Sequence, residues 1–207
     1  MKITNFVIAC ALLLPSACDA KRAPRDNVLG ITQMADAEGV AAAIDRHQHQ
    51  LHGLLSAEKD EIFNGDPAQN FQLELNGSLF YVVPLEYSSN RPSLVDSCAL
   101  TILNKSKKVL DARPTFDAED SSWACDGLSG IAFRRNKQRP NLIDIIVIYQ
   151  GRPASNRIED LFDYPVKLAF DTSRLALFVD EKASSFLLEK NVKDVKTGFR
   201  LLSQIRD

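Results

Sequence analysis

The chain has 207 residues, of which 45% are hydrophobic and 25% charged, the balance of a globular domain and not of a disordered or fibrous chain. Lys and Arg number 25 against 27 Asp and Glu, a formal charge of -2, so the surface as a whole offers no attraction to nucleic acid or an anionic membrane. Beyond the amino terminus there is no apolar span of about 20 residues and no recurring period, which excludes a polytopic membrane protein, a coiled coil and a repeat array.

In chain order, Lys2 supplies a positive start, Phe6 to Leu14 an apolar core, and Ala17-Cys18-Asp19-Ala20 a small-residue exit. That is the pattern of an export signal over residues 1–20, with an apolar core too short to cross a bilayer. Cleavage after Ala20 leaves a periplasmic chain beginning at Lys21. Leu14-Pro15-Ser16-Ala17-Cys18 also resembles a bacterial lipoprotein box, in which Cys18 would carry the lipid, although Pro15 stands where that box has a bulky aliphatic residue. Asp19 then resembles the signal that keeps a lipoprotein in the inner membrane. Removal and lipidation of Cys18 both stay open.

Residues 21–30 are polar, include Pro24 and mixed charges, and read as a flexible tether to a single domain over 31–207. From Asp36 to about Glu61, Val40, Ile44, Leu51, Leu54 and Leu55 share one helical face, with Asp36 as N-cap. Asn64-Gly65-Asp66-Pro67 ends this helix by turn chemistry. The period then changes to two. Phe71–Leu75 alternates, Asn76-Gly77 signals a hairpin, and Leu79–Tyr87 continues as a longer, mostly buried strand. Ala99–Leu103, Gly130–Phe133, Leu142–Tyr149, Val166–Phe170 and Leu175–Val179 read as further strands, the last two joined in a hairpin by Asp171–Arg174. Leu142–Tyr149 is the most apolar and is expected to be central, covered on both faces. Asn191 is expected to cap a final helix lined by Val192, Val195, Phe199 and Leu202. The expected fold is α+β, an antiparallel sheet of about six strands with an N-terminal and a C-terminal helix packed on one face.

Once Cys18 is removed or acylated, Cys98 and Cys125 are the cysteines left to the domain, and in an oxidising compartment they are expected to pair. Closing a loop of about 27 residues would stabilise the fold by roughly 3.5 kcal/mol. Neither cysteine lies in a C-x-x-C at a helix start, so no redox role is expected. Trp123, two residues before Cys125, is expected to pack beside the disulfide.

The three histidines fall in His47-Gln48-His49-Gln50-Leu51-His52. On one continuous helix His49 and His52 share the polar face with Asp45, a trio whose spacing can begin a metal site, and His47 falls in the apolar stripe. One helix gives no closed ligand shell, so no metal and no cofactor is expected. Nucleophile elbow, metalloprotease, phosphate-loop and dinucleotide motifs are absent, and no catalytic residue is assigned.

Two segments suit recognition of a protein. Arg134, Arg135, Lys137 and Arg139 crowd one loop between strands, where guanidinium groups can meet carboxylates. Asp117, Glu119 and Asp120 precede Trp123 in another. Tyr87 and Arg91 are residue types enriched at interfaces. Asn76-Gly77-Ser78 and Asn104-Lys105-Ser106 fit a glycosylation pattern but read as turns in a chain with a bacterial-type signal.

An export signal, one domain, two cysteines and unevenly charged loops together resemble the organisation of small bacterial periplasmic immunity proteins. The resemblance implies a partner rather than a substrate: a secreted antibacterial effector enzyme whose active site is blocked in the periplasm. The alternative is a periplasmic enzyme or a small-ligand or metal carrier using the histidine-bearing helix. No nucleic acid and no membrane span are expected on either reading.

Overall fold

Apolar residues on both faces of the central strands decide the architecture. A computed structural model describes residues 31–33, 37–65, 69–75, 77–89, 96–116, 123–153 and 161–204. The export signal, the tether, Cys18 and the expected cap Asp36 lie outside them. In β4 (Ser78–Ser89) Phe80 and Val82 enter one apolar cluster, while Tyr81, Val83, Leu85 and Tyr87 enter another. In β5 (Ser97–Asn104) Cys98, Leu100 and Ile102 join the first, and Ala99 and Leu103 the second. β8 (Leu142–Pro153) divides likewise, Ile143, Ile145, Val147 and Tyr149 against Ile146 and Ile148. A sheet apolar on both faces requires a cover on each.

The cover on the shared side is a second sheet. β1 (Ile31–Gln33), β3 (Phe71–Leu75), β4, β5 and β6 (Val109–Phe116) lie in that order, with β2 (Glu61–Asn64) also on β4. The other sheet runs β10 (Ala176–Val179), β9 (Phe162–Asp171), β8 and β7 (Trp123–Arg135). Every pairing is antiparallel. Pro84 falls in the interval of β4 between the residues paired with β3 and those paired with β2, so its missing N–H removes no ladder bond to either strand.

Helices close the two outer faces. α1 (Ala37–Arg46) and α2 (Gln48–Leu55) set Val40, Ile44 and Leu51 on the six-stranded sheet. α3 (Glu181–Glu189), the turn at Val192 and α4 (Val195–Gln204) set Leu187, Val192 and Leu202 on Ile146 and Ile148 of the four-stranded one. Gly198 lets α4 approach closely, because a Cβ there would stand 3.0 Å from Ile146 Cδ1. The molecule is thus four layers, helix, sheet, sheet, helix. The α+β class and the end helices are as expected, and no described helix is long and apolar enough to cross a membrane. The described strands number ten in two sheets, where the sequence suggested about six in one, and helices lie on both outer faces.

Three local expectations are corrected. The first helix breaks at His47, whose φ of -104° and ψ of 12° begin a new helix. The break is held from β2: Gln48 Nε2 donates to the Phe63 carbonyl at 2.8 Å, and the Phe63 N–H donates to Gln48 Oε1 at 3.1 Å. Residues 61–64 pair with β4 as a strand, where one helix running to about Glu61 was expected. Asn191 does not cap the last helix, as it adopts a φ of +50°. Asp194 takes that role, accepting the Thr197 N–H at 2.8 Å.

Covalent and polar links then tie the sheets together. Cys98 of β5 is bonded to Cys125 of β7, with Cα atoms 5.9 Å apart. Beside them the Tyr149 hydroxyl donates to the Ala99 carbonyl at 3.3 Å, and burial pushes its phenol pKa well up, so it stays neutral. At the far edge Asp111 of β6 accepts the Leu177 N–H of β10 at 2.7 Å, and Arg113 Nε donates to the Leu177 carbonyl at 3.1 Å. Because the disulfide spans 27 residues, Cys98→Ser with Cys125→Ser is expected to lower unfolding free energy by roughly 3.5 kcal/mol. Urea titration with and without reductant checks this, and a reductant-insensitive midpoint in the parent chain would refute it.

Candidate functional site

The hairpin between β7 and β8 positions the first recognition residues. Its tip is ordered by Asn136, which is buried. Asn136 Oδ1 accepts the N–H groups of Gln138 and Arg139, each at 3.0 Å, and Nδ2 donates to Asp144 Oδ2 at 3.2 Å. Asp144 in turn meets Lys167 Nζ at 2.8 Å, both side chains under 5% exposed. Lys167 Nζ also donates to the Leu168 carbonyl at 2.6 Å. A buried ion pair satisfied in this way fixes geometry more than it adds stability, and what it fixes is the base of the charged hairpin.

Side-chain alternation divides the cations that the sequence placed together. Arg134 stands on the α4 face of β7, its guanidinium 4.4 Å from the Phe199 ring centroid. Stacking of this kind holds the planar cation in place without neutralising it. Lys137 borders the same hollow, a groove of about 780 Å³ between β7 and α4. Arg135 takes the opposite face of β7, with a buried Nε that has no partner among the described residues. Arg139 borders a second hollow of about 680 Å³ with Asp171 and Arg174.

The groove gains two cations that sequence reasoning missed, Lys196 and Arg200 of α4. Their i, i+4 spacing puts them on one helix face, the only sequence signal for them, and it does not point to a loop some sixty residues earlier. Among the described residues no carboxylate borders the groove, and Arg134, Lys137, Lys196 and Arg200 make no ion pair. Four cations beside an aromatic ring, without an ion pair among the described residues, can together meet an anionic group. Asp194 lies at the start of α4, its carboxyl held below the ordinary range chiefly by the Thr197 N–H.

The remaining candidates fall elsewhere. Asp117, Glu119, Asp120 and Arg91 lie outside the described residues. Trp123 opens β7 opposite Pro153, and its expected packing lies outside the described side chains. Tyr87 is buried against Phe63, ring centroids 5.1 Å apart, on the helix side of its sheet. The break at His47 separates the metal trio: Asp45 is exposed on α1, His49 exposed on α2, and His52 packs edge-on against Phe63 at 5.1 Å. No group of three or more potential metal ligands occurs among the described residues. Asn104 is a turn residue as read, accepting the Lys108 N–H at 3.0 Å.

No protein-family model, curated protein or solved structure matches the chain, so its function is argued from this geometry.

Two measurements test the scaffold of the site. Lys167→Ala strands Asp144 in the core and is expected to cost about 3–5 kcal/mol, whereas Asp144→Leu with Lys167→Met should cost markedly less; equal losses in urea titrations would refute a role in fixing geometry. In the second hollow, Asp171 accepts bonds from Ser173 Oγ at 2.6 Å, the Ser173 N–H at 2.9 Å and Asn141 Nδ2 at 3.1 Å. The Ser173 hydroxyl foremost holds its carboxyl below the ordinary carboxylate range. A lowered folded pKa lends stability that is complete above the unfolded value of about 3.9 and is lost as pH falls through the folded one. Asp171→Asn should therefore be less stable at neutral pH and show a shallower acid loss, read from thermal midpoints across the acid range.

Proposed function

We propose that the chain is an exported bacterial binding protein of the periplasm, an immunity protein that neutralises a secreted antibacterial effector. The observation that carries the binding reading is the groove between β7 and α4, where Arg134, Lys137, Lys196 and Arg200 converge unpaired among the described residues. In a chain with a formal charge of -2, such a concentration is a local field that steers and holds an acidic surface. The disulfide supports export, because a structural cross-link of this kind persists in an oxidising compartment. Within this reading the effector presents an acidic segment to the groove, and occupancy of that surface blocks its action. The four-layer scaffold supplies rigidity, so little ordering cost falls on this side of the complex.

The test uses the full chain as bait for secreted proteins of the native organism, beside Lys196→Glu with Arg200→Glu. Both positions are exposed on α4, so the variant should fold. One toxic enzyme is expected to be retained and inhibited on mixing, and the double reversal should weaken retention by about tenfold or more, with a marked salt dependence. Retention unaffected by the reversal would remove the groove from the reading. Retention of a protein whose activity is not inhibited would overturn the immunity assignment.

A further inference from the structure

The described charges are sorted along the strands. Antiparallel pairing puts the β3–β4 and β5–β6 turns at one end of the larger sheet, and the β7–β8 and β9–β10 turns at one end of the smaller. These two ends coincide. Phe80, opposite Asn104 beside the β5–β6 turn, meets Phe170, which precedes Asp171 at the β9–β10 turn, with ring centroids 5.2 Å apart. Asn141 of the β7–β8 turn donates to Asp171 at 3.1 Å and accepts the Thr172 N–H at 2.9 Å, so two of the turns are bolted together.

Lys105, Lys108, Lys137, Arg139 and Arg174 are exposed at this end. Arg174 lies 3.7 Å from Asp171, yet its side chain is 74% exposed while Asp171 is buried. Glu74 is an exposed acid here, and Asp180 and Glu181 stand further back at the start of α3, across the hollow that Arg139 and Arg174 border. At the opposite end Glu61, Glu86, Asp96, Asp126 and Asp163 gather, with Arg152 held 3.2 Å from Asp96 and 2.9 Å from Asp126. Two more features belong to the cationic end. Ile31 lies opposite Leu73 and Gln33 opposite Phe71, so the chain enters β1 from this end, after the segment that carries the expected export signal and Cys18. Leu175, next to Arg174, is 40% exposed at a φ of +55°. A bulky residue adopts that left-handed backbone at a cost, and here the cost holds an apolar side chain outward at a turn.

We propose that the hairpin end rests on an anionic lipid surface, with Lys105, Lys108, Lys137, Arg139 and Arg174 among the phosphate headgroups and Leu175 at the acyl boundary. Cations spread over three turns and both sheets match a charge as broad as a membrane, where each basic residue adds about fivefold in affinity. An apolar tip adds contact beneath the headgroups. The acids of the far end are repelled by the same surface, which fixes the orientation. The proposal shares Lys137 with the groove between β7 and α4 but does not depend on what that groove takes.

The experiment mixes the full chain with vesicles of phosphatidylcholine alone or with one third phosphatidylglycerol, and reads sedimentation and hydrogen exchange. Retention is expected to be about tenfold or more greater on the phosphatidylglycerol vesicles and to fall with salt. Exchange should slow over residues 104–108, 136–141 and 171–175, and stay unchanged over 61–64. Lys105→Glu with Lys108→Glu on one sheet, and Arg139→Glu with Arg174→Glu on the other, replace exposed side chains, and each pair should remove most of the preference at an unchanged thermal midpoint. An apolar leader or a lipid on Cys18 would retain the chain on both vesicles alike, so equal retention overturns the proposal, as does a preference that neither reversal weakens. Equal slowing of the same segments by polyglutamate overturns it in favour of an acidic protein. Loss of binding in millimolar inorganic phosphate at constant ionic strength overturns it in favour of a free anion.

Discussion

Strands β4, β5 and β8 bury side chains on both faces, and every other layer exists to cover them. Leu100, Ile102, Ile145 and Val147 need a sheet opposite, while Val83, Leu85, Ile146 and Ile148 need helices behind. Each fully buried aliphatic side chain contributes roughly 2 kcal/mol, so exposing any one face would forfeit several such contributions. The disulfide and the Tyr149 bond to Ala99 then act on sheets already pressed together. They fix which strand of one sheet faces which strand of the other.

The polar groups under the hairpin follow from the same constraint. Asp144 occupies an outer-face position of β8, in line with Ile146 and Ile148, and a carboxylate there must find partners or impose a desolvation penalty. Lys167 and Asn136 supply them. Asn136 links that buried pair to the turn at Gln138 and Arg139, so the demand for a satisfied carboxylate also shapes the charged tip. Packing in the core and presentation at the surface are thereby one structure, with Arg134 emerging opposite Asp144 in the ladder and resting on Phe199.

The elements that were legible in the sequence have a clean period. Phe71–Leu75 alternates and meets its hairpin at Gly77, which adopts a φ of +77°, and Leu142–Tyr149 is apolar because both faces are covered. β6 escaped notice because Asp111, Arg113 and Pro114 interrupt its pattern, although Asp111 is there to bond Leu177 and Pro114 lies on an edge strand. α3 escaped because Ala183, Phe186 and Leu187 are too few to mark a stripe. The second sheet cannot be read from any one strand, since a period reports that a face is buried but not what buries it. For the same reason the loop cations were visible and their α4 counterparts were not: convergence of Arg134 with Lys196 and Arg200 is a property of packing.

The two edges of the smaller sheet are treated differently, and the difference bears on function. β10 is tied to β6 through Asp111 and Arg113, so that side of the sandwich is stitched shut. β7 has no described strand paired along its outer side, although its Cys125 N–H donates to the Asp96 carbonyl at 2.7 Å, and strand edges left unpaired invite pairing with other chains. Arg134 and Arg135 stand at that edge, and a second β7 laid antiparallel against it would bring further arginines into the same sheet, with the α4 cations alongside. Like charges brought together in neighbouring strands oppose such a pairing. The charges of Arg134 and Arg135 thereby keep this edge from its own kind.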